Sequence, residues 1–386
     1  MIPYGKQNIN QEDIEAVINV LKSDFITQGP AIEKFEKSVA DFVKARYAVA
    51  VSNATAALHI GCLSLGLKQG DIVWTSPNTF VASANCALYC EAEIDFVDID
   101  PHTYNLSADK LEEKLVRAQK QGKLPKIVIP VHFSGQSCEM KKIHELSKQY
   151  GFKIIEDASH AIGGKYKGKP VGNCEYSDMA VFSFHPVKII TTGEGGMVVT
   201  NNKDLYQKLI RLRSHGITRE SSLMTENSHG PWYYQQIDLG YNYRMTDIQA
   251  ALGASQMNRL DLFIEKRHEI ARRYNKLLAD LPVTLPYQDS ETYSAYHLYV
   301  IRLQLDKISL THREVFEKLR ENGIGIQLHY IPVHTQPYYQ NLGFHKDEFP
   351  EAEKYYGETI SLPMFYDLTN DEQERVALVL KKILDS

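Results

Sequence analysis

One lysine interrupts the apolar run Pro186-Val187-Lys188-Ile189-Ile190, just after the strand-like DMAVFSF and ahead of the glycine-rich TTGEGG. An amine in such surroundings must snorkel to water, pair with an acid, or be kept for nucleophilic chemistry. Asp157 and His160 follow another buried run, FKIIED, so their polar groups emerge at a strand's carboxyl end. A carboxylate there can keep a heterocyclic nitrogen protonated, or it can simply cap a helix beside a histidine satisfied by backbone. Ser52, Asn53, Ala54 and Thr55 stand where a strand passes into a helix. Small residues there let backbone N–H groups approach an anion such as a phosphate, and the alternative is an ordinary helix cap. Phe80, in SPNTF, opens another helix and either lies flat on a planar ligand or packs into the core. Ser183 precedes Lys188 by five residues.

These positions share an edge only if the flanking segments form a parallel sheet. YAVAVS, DIVWTS, AEIDFVDI, KIVIPVHF and FKIIEDAS read as short buried strands. Between them ATAALHIGCLSLGL, FVASANCALYC and CEMKKIHELSKQYG read as helices. Such alternation predicts an α/β fold with helices on both sheet faces, and ligands then bind beyond the strands' carboxyl ends. NINQEDIEAVINVLKS begins with the cap Asn10 and repeats apolar residues at helical spacing: Ile14, Val17, Ile18, Leu21. From Met245 to Leu281 the pattern predicts one long helical run. Beyond it, SAYHLYVIRLQL and IGIQLHYIP read as strands, with helices in THREVFEKLRENG and DEQERVALVLKKIL. We expect a large domain over 1–245, including an N-terminal arm, and a linking helix with a small α+β domain over 246–386.

A chain of 386 residues suits two domains, and a net charge of -5 offers no basic footprint for nucleic acid or anionic lipid. No signal peptide and no membrane span is visible, so a cytoplasmic location is expected. The five cysteines lack metal spacing, and no metal site is expected. No Gly-x-Gly-x-x-Gly follows an early strand, which speaks against a nicotinamide crossover. An amine for a Schiff base, an acid for a ring nitrogen and a phosphate cradle are together what pyridoxal 5'-phosphate requires.

The ordered segments SNATAALH, SPNTFVA, VHFSGQ, EDASHAIG, SFHPVK, EGG, RSHGI, LGYNYRMTDIQAALG and LPM resemble the sugar aminotransferases of fold-type I pyridoxal-phosphate enzymes. The resemblance covers nearly the whole chain. Ala54, His160, SFHPVK and QLHYIP look more like the branch that aminates a UDP-linked 4-keto-6-deoxy-N-acetyl-altrosamine for pseudaminic acid. The resemblance implies a mainly parallel seven-stranded sheet covered by helices, plus a smaller α+β C-terminal domain. It implies Lys188 as the Schiff-base lysine, Asp157 as partner of the pyridine nitrogen and Phe80 as the stacking aromatic. His160 takes the place of a glutamine at the phenolic oxygen, and Ala54, Thr55 and Ser183 match the phosphate cradle. Asn242 matches a phosphate contact supplied by the neighbouring subunit, which implies a homodimer with shared sites. Tyr4, Asp24, Phe25, Ile26, Thr27, Gln327, Leu328, His329 and Tyr330 align near a nucleotide-sugar substrate, with glutamate as the usual amino donor. The alternatives are the same chemistry on another keto sugar, a dehydratase relative (which carries His for the lysine), and a non-catalytic cofactor-binding homologue. Lys188 stands against the dehydratase, and Lys188, Asp157 and Ser183 together stand against the non-catalytic homologue.

Overall fold

The buried apolar runs become the strands of one seven-stranded sheet in the computed structural model, which describes residues 1–386. They are β1 (Tyr47–Val51), β2 (Ile72–Thr75), β3 (Glu93–Phe96), β4 (Ile127–Ile129), β5 (Lys153–Asp157), β6 (Met179–Ser183) and β7 (Gly196–Thr200). Their spatial order is β1-β7-β6-β5-β4-β2-β3. Only β7 runs against its neighbours β1 and β6, while the other pairs are parallel. Alternation along each strand feeds two faces. Val181 and Val198 pack toward the Ala54–Ser64 helix, and Ala180, Phe182, Met197 and Val199 toward the helices on the other side. Both faces are therefore dry, and a polar side chain can reach a ligand only at a strand's end. Ser52, Asp157 and Ser183 lie at the carboxyl edge, and Gly196, where β7 starts, joins them there.

A second, antiparallel sheet holds β8 (Val283–Thr284), β9 (Tyr299–Leu303) and β10 (Thr359–Leu362), with β9 central. The His312–Glu321 and Asn370–Leu384 helices cover it through Val315, Leu319, Val376 and Leu380. The first residues of the chain join this core: Ile2 is buried in it, and the Tyr4 carbonyl accepts from Met364 N at 2.9 Å.

The long run from Met245 is not a single helix. It forms Asp247–Met257 and Leu260–Leu277, broken at Asn258 and Arg259. Arg259 leaves helical geometry (φ -112, ψ 6) because its guanidinium is drawn to Asn8 Oδ1 at 2.6 Å and Asp13 Oδ2 at 2.5 Å. Asp13, fully buried, also accepts from Ser255 and Gln256, so its charge is paired and hydrogen-bonded as burial demands. No helix is long and apolar enough to cross a membrane.

Candidate active site

A cavity of about 860 Å³ opens where the main sheet's carboxyl edge meets the N-terminal arm and the second sheet. Lys188 enters it from the turn after β6, and Asp157 from the end of β5. Burial drives the Lys188 ammonium down from 10.5 to about 8, and the Asp157 carboxylate partly opposes that drop. Lys188 keeps some accessible surface, which faces the cavity, while protein surrounds its stem. An amine with that pKa is still mostly protonated near physiological pH, but its neutral form is far more populated than that of a free lysine. Asp157 is held on two sides: Ser83 Oγ donates to Oδ2 at 2.6 Å, and Ser159 N donates to Oδ1 at 3.1 Å.

His160 is fixed in one tautomer by its neighbours. Its Nδ1 accepts from Ser134 N at 3.2 Å, so the proton sits on Nε2, 3.1 Å from the Tyr330 hydroxyl. Burial first, then Lys188 and His329, push its pKa well below the usual histidine range, so the ring is neutral. His329, with Nδ1 2.9 Å from Ser361 Oγ, is driven down to about 3 by burial and by Lys188. Burial raises the Tyr330 hydroxyl, first among its causes, so that phenol stays protonated.

The opposite wall fits an anion. Asn53 caps the Ala54–Ser64 helix by accepting from Ala56 N at 2.8 Å. The N–H groups of Ala54 and Thr55 have no carbonyl within the helix to bond, and they carry the positive end of its dipole. Gly196 lets β7 run beneath this turn, since a Cβ there would lie 2.5 Å from the Asn53 carbonyl. Amine, acid and helix terminus around one cavity match what pyridoxal phosphate needs, and the Gly196 contact shows the cradle is built closely.

The cavity gathers Tyr4, Ala54, Thr55, Phe80, Asp157, His160, Ser183, Lys188, His329 and Tyr330, all singled out from sequence. Phe80 is 58% exposed, with its ring 6.1 Å from that of Tyr330, at the mouth rather than in the core. Asp24, Phe25, Ile26 and Thr27 are not brought there: they are exposed beside the Asp247–Met257 helix, where Asp247 N donates to Ile26 O. Asn242 is also exposed, bridged to Ser214. Gln327 and Leu328 lie outside, with Gln327 paired to Ser361 of β10. Sequence reasoning missed Ser83, His297, Tyr89, Tyr243 and the rim pair His185 and Glu194. For His297 the signal was available: a polar residue inside SAYHLYV, just ahead of a strand.

Residues 7–381 match the DegT/DnrJ/EryC1/StrS aminotransferase family. The chain belongs to that family. Among DegT/DnrJ/EryC1/StrS relatives, a Campylobacter jejuni protein named UDP-4-amino-4,6-dideoxy-N-acetyl-beta-L-altrosamine transaminase is 38% identical, over 100% of this chain and 98% of its own. The solved structure of Helicobacter pylori PseC, described as an aminotransferase involved in the biosynthesis of pseudoaminic acid, superposes with a TM-score of 0.91. It is 30% identical and covers 100% of this chain and 99% of its own. A putative sugar aminotransferase from Streptococcus pneumoniae, solved in its PLP-form, gives a TM-score of 0.88 at 26% identity, covering 100% and 98%. Membership explains why the strand-end lysine and acid face a helix terminus across one cavity.

Proposed function

We propose that the protein aminates the C4 ketone of a UDP-linked 4-keto-6-deoxy-N-acetylhexosamine with glutamate as donor. The product would be UDP-4-amino-4,6-dideoxy-N-acetyl-altrosamine, for pseudaminic acid. The observation that carries the chemistry is a cavity lysine lowered to about 8, with Asp157 and an open helix terminus across from it. The substrate reading is supported by the named C. jejuni relative and by the likeness to H. pylori PseC.

Pyridoxal phosphate, when bound, supplies a carbonyl carbon that links to an amine and a ring that accepts an electron pair. Ala54 and Thr55 N–H groups, with Ser183, would hold its phosphate, and Phe80 would lie against its ring. Lys188 Nζ is the linking amine. In its neutral form it would take a proton from the donor's α-carbon and return one to the sugar's C4, so a single base would serve both half-reactions. The Asp157 carboxylate, oriented by Ser83 and Ser159, would hold a proton on the ring nitrogen. His160 Nε2–H, which faces the Tyr330 hydroxyl at 3.1 Å, would be the donor for the phenolic oxygen. Tyr4, His329 and Tyr330 shape the sugar side, and the aromatic and histidine walls exclude water.

Two copies would share these sites, each placing Asn242 at the phosphate of the other, and Asp24 to Thr27, Gln327 and Leu328 would lie near the sugar nucleotide. The reading is supported by apolar surface left open on one copy: Ile14 (44% exposed), Leu21 (57%), Phe25 (55%) and Ile26 (52%). A cytoplasmic location and a large unit over 1–245 with a small one over 246–386 belong to the same proposal.

The test is a panel of 4-keto nucleotide sugars incubated with glutamate and pyridoxal phosphate, with the amino sugars resolved by mass and NMR. Turnover of the UDP-linked 4-keto-6-deoxy-N-acetyl sugar above all others is expected. Preference for a different nucleotide or ring position would refute the substrate.

A further inference from the structure

His297 lines the cavity and is only 4% exposed, yet no protein group hydrogen-bonds its ring, and its Nδ1 is fully buried without a partner. Buried polar atoms in native proteins are nearly always paired, so an orphan beside a reaction centre calls for an explanation. Burial first, then His160 and Lys188, keep the ring neutral, so one nitrogen carries hydrogen and the other does not. A sealed N–H without an acceptor is a rarer and costlier orphan than an unused lone pair. The hydrogen therefore belongs on Nε2, the nitrogen left to meet whatever fills the cavity.

The surrounding contacts hold the ring in place. Arg267 Nη1 donates to the carbonyls of Tyr296 at 2.9 Å and His297 at 3.2 Å. Ala295 N donates to Gly135 O at 2.9 Å, and Ser134 Oγ to Leu298 O at 2.8 Å. The same Ser134 orients His160, whose ring centroid is 4.3 Å from that of His297. A neutral donor so placed suits an oxygen bearing negative charge, because a charge-assisted bond then needs no protonated histidine.

We propose that His297 is a further binding residue of this site, its Nε2–H donating to an anionic oxygen of the cavity's occupant. That oxygen is the cofactor's phenolate or the amino donor's carboxylate. The proposal rests on the aminotransferase reading above and assigns a residue which that reading leaves without a role.

His297→Leu removes both the donor and the orphan, while His297→Gln returns an amide N–H near the former Nε2. Nitrogen-15 NMR of the cofactor-free protein should show the Nε2–H tautomer at His297. The leucine variant should keep or raise the thermal midpoint, since an unpaired buried nitrogen is gone. It should weaken either pyridoxal phosphate binding, followed by absorbance titration, or the glutamate KM of the first half-reaction, by about 10–100-fold. Glutamine should restore most of the loss. A weaker cofactor Kd assigns the phenolate, and a raised donor KM alone assigns the carboxylate. An Nδ1–H tautomer, or a leucine variant with both constants within about twofold of the parent, overturns the proposal. So does a destabilised leucine variant that glutamine fails to rescue. If the parent itself bound no pyridoxal phosphate, the proposed function would fall, while the tautomer measurement would still decide where the donor lies.

Discussion

Replacing Lys188 with methionine should stabilise the cofactor-free protein while abolishing turnover. Folding carries the ammonium from water, where it titrates at 10.5, to a site where it titrates at about 8. Above pH 10.5 the amine is neutral in both states, and burial adds no charge penalty. Between 10.5 and 8 the unfolded chain binds a proton that the folded chain does not, so stability falls as pH falls. Below 8 both states are charged, and the penalty is constant. At about 1.4 kcal/mol per pH unit the full penalty is about 3.4 kcal/mol, and cavity water reduces it to roughly 2–3 kcal/mol. Methionine, apolar and of similar length, removes it. With about 2.1 cal/mol/K of unfolding entropy per residue, the gain in thermal midpoint at pH 7 is about 3 °C. Urea titrations of parent and variant at pH 7, 8, 9 and 10 measure the difference directly. It should plateau below pH 8 and shrink to under about 1 kcal/mol at pH 10. A difference that is flat across this range, or that grows with pH, would mean that Lys188 is not held in the lowered state.

Asp157→Asn should retain pyridoxal phosphate yet slow each half-reaction about 100-fold or more in stopped-flow absorbance, because an amide cannot hold a charged ring nitrogen; unchanged rates would reduce Asp157 to a helix cap. Gly196→Ala should push a Cβ against the Asn53 carbonyl, costing about 1–3 kcal/mol in denaturation and weakening pyridoxal phosphate more than pyridoxal. Equal loss for both ligands would place the phosphate elsewhere. Mixed Lys188→Ala and Asn242→Ala subunits should regain up to about half the normal activity per mixed pair, since both lesions then fall in one of two sites. No recovery after verified exchange would refute the shared site.

The sheet's carboxyl edge was legible because strand ends are marked locally, by an apolar run giving way to polar or small residues. Lys188, Asp157, Ser183, Ala54 and Thr55 are all of that kind. What escaped comes from chain crossings that periodicity does not encode. Ser83 reaches Asp157 from a helix early in the chain, and His297 reaches the cavity from a segment fastened by Ser134, Gly135 and Arg267. The break at Arg259 escaped for the same reason: helical spacing continues through it, and only Asn8 and Asp13 show why the backbone turns. Asp24 to Thr27 and Asn242 were placed by family likeness, and within one chain they remain outside the cavity.

The Tyr4 wall bears on the order in which the molecule assembles. Its carbonyl takes the Met364 amide, and its ring lies 5.6 Å from that of His329, so segments far apart in sequence must meet before this side of the cavity exists. Closing so large a loop costs chain entropy before any contact offsets it, whereas the pairing of β5 with β6 spans a short stretch. On contact order alone, the strands that carry Asp157 and lead to Lys188 are expected to pair early. The Tyr4 wall is then expected to close later, so a partly folded chain would bring the lysine and its acid together before that side of the cavity is in place.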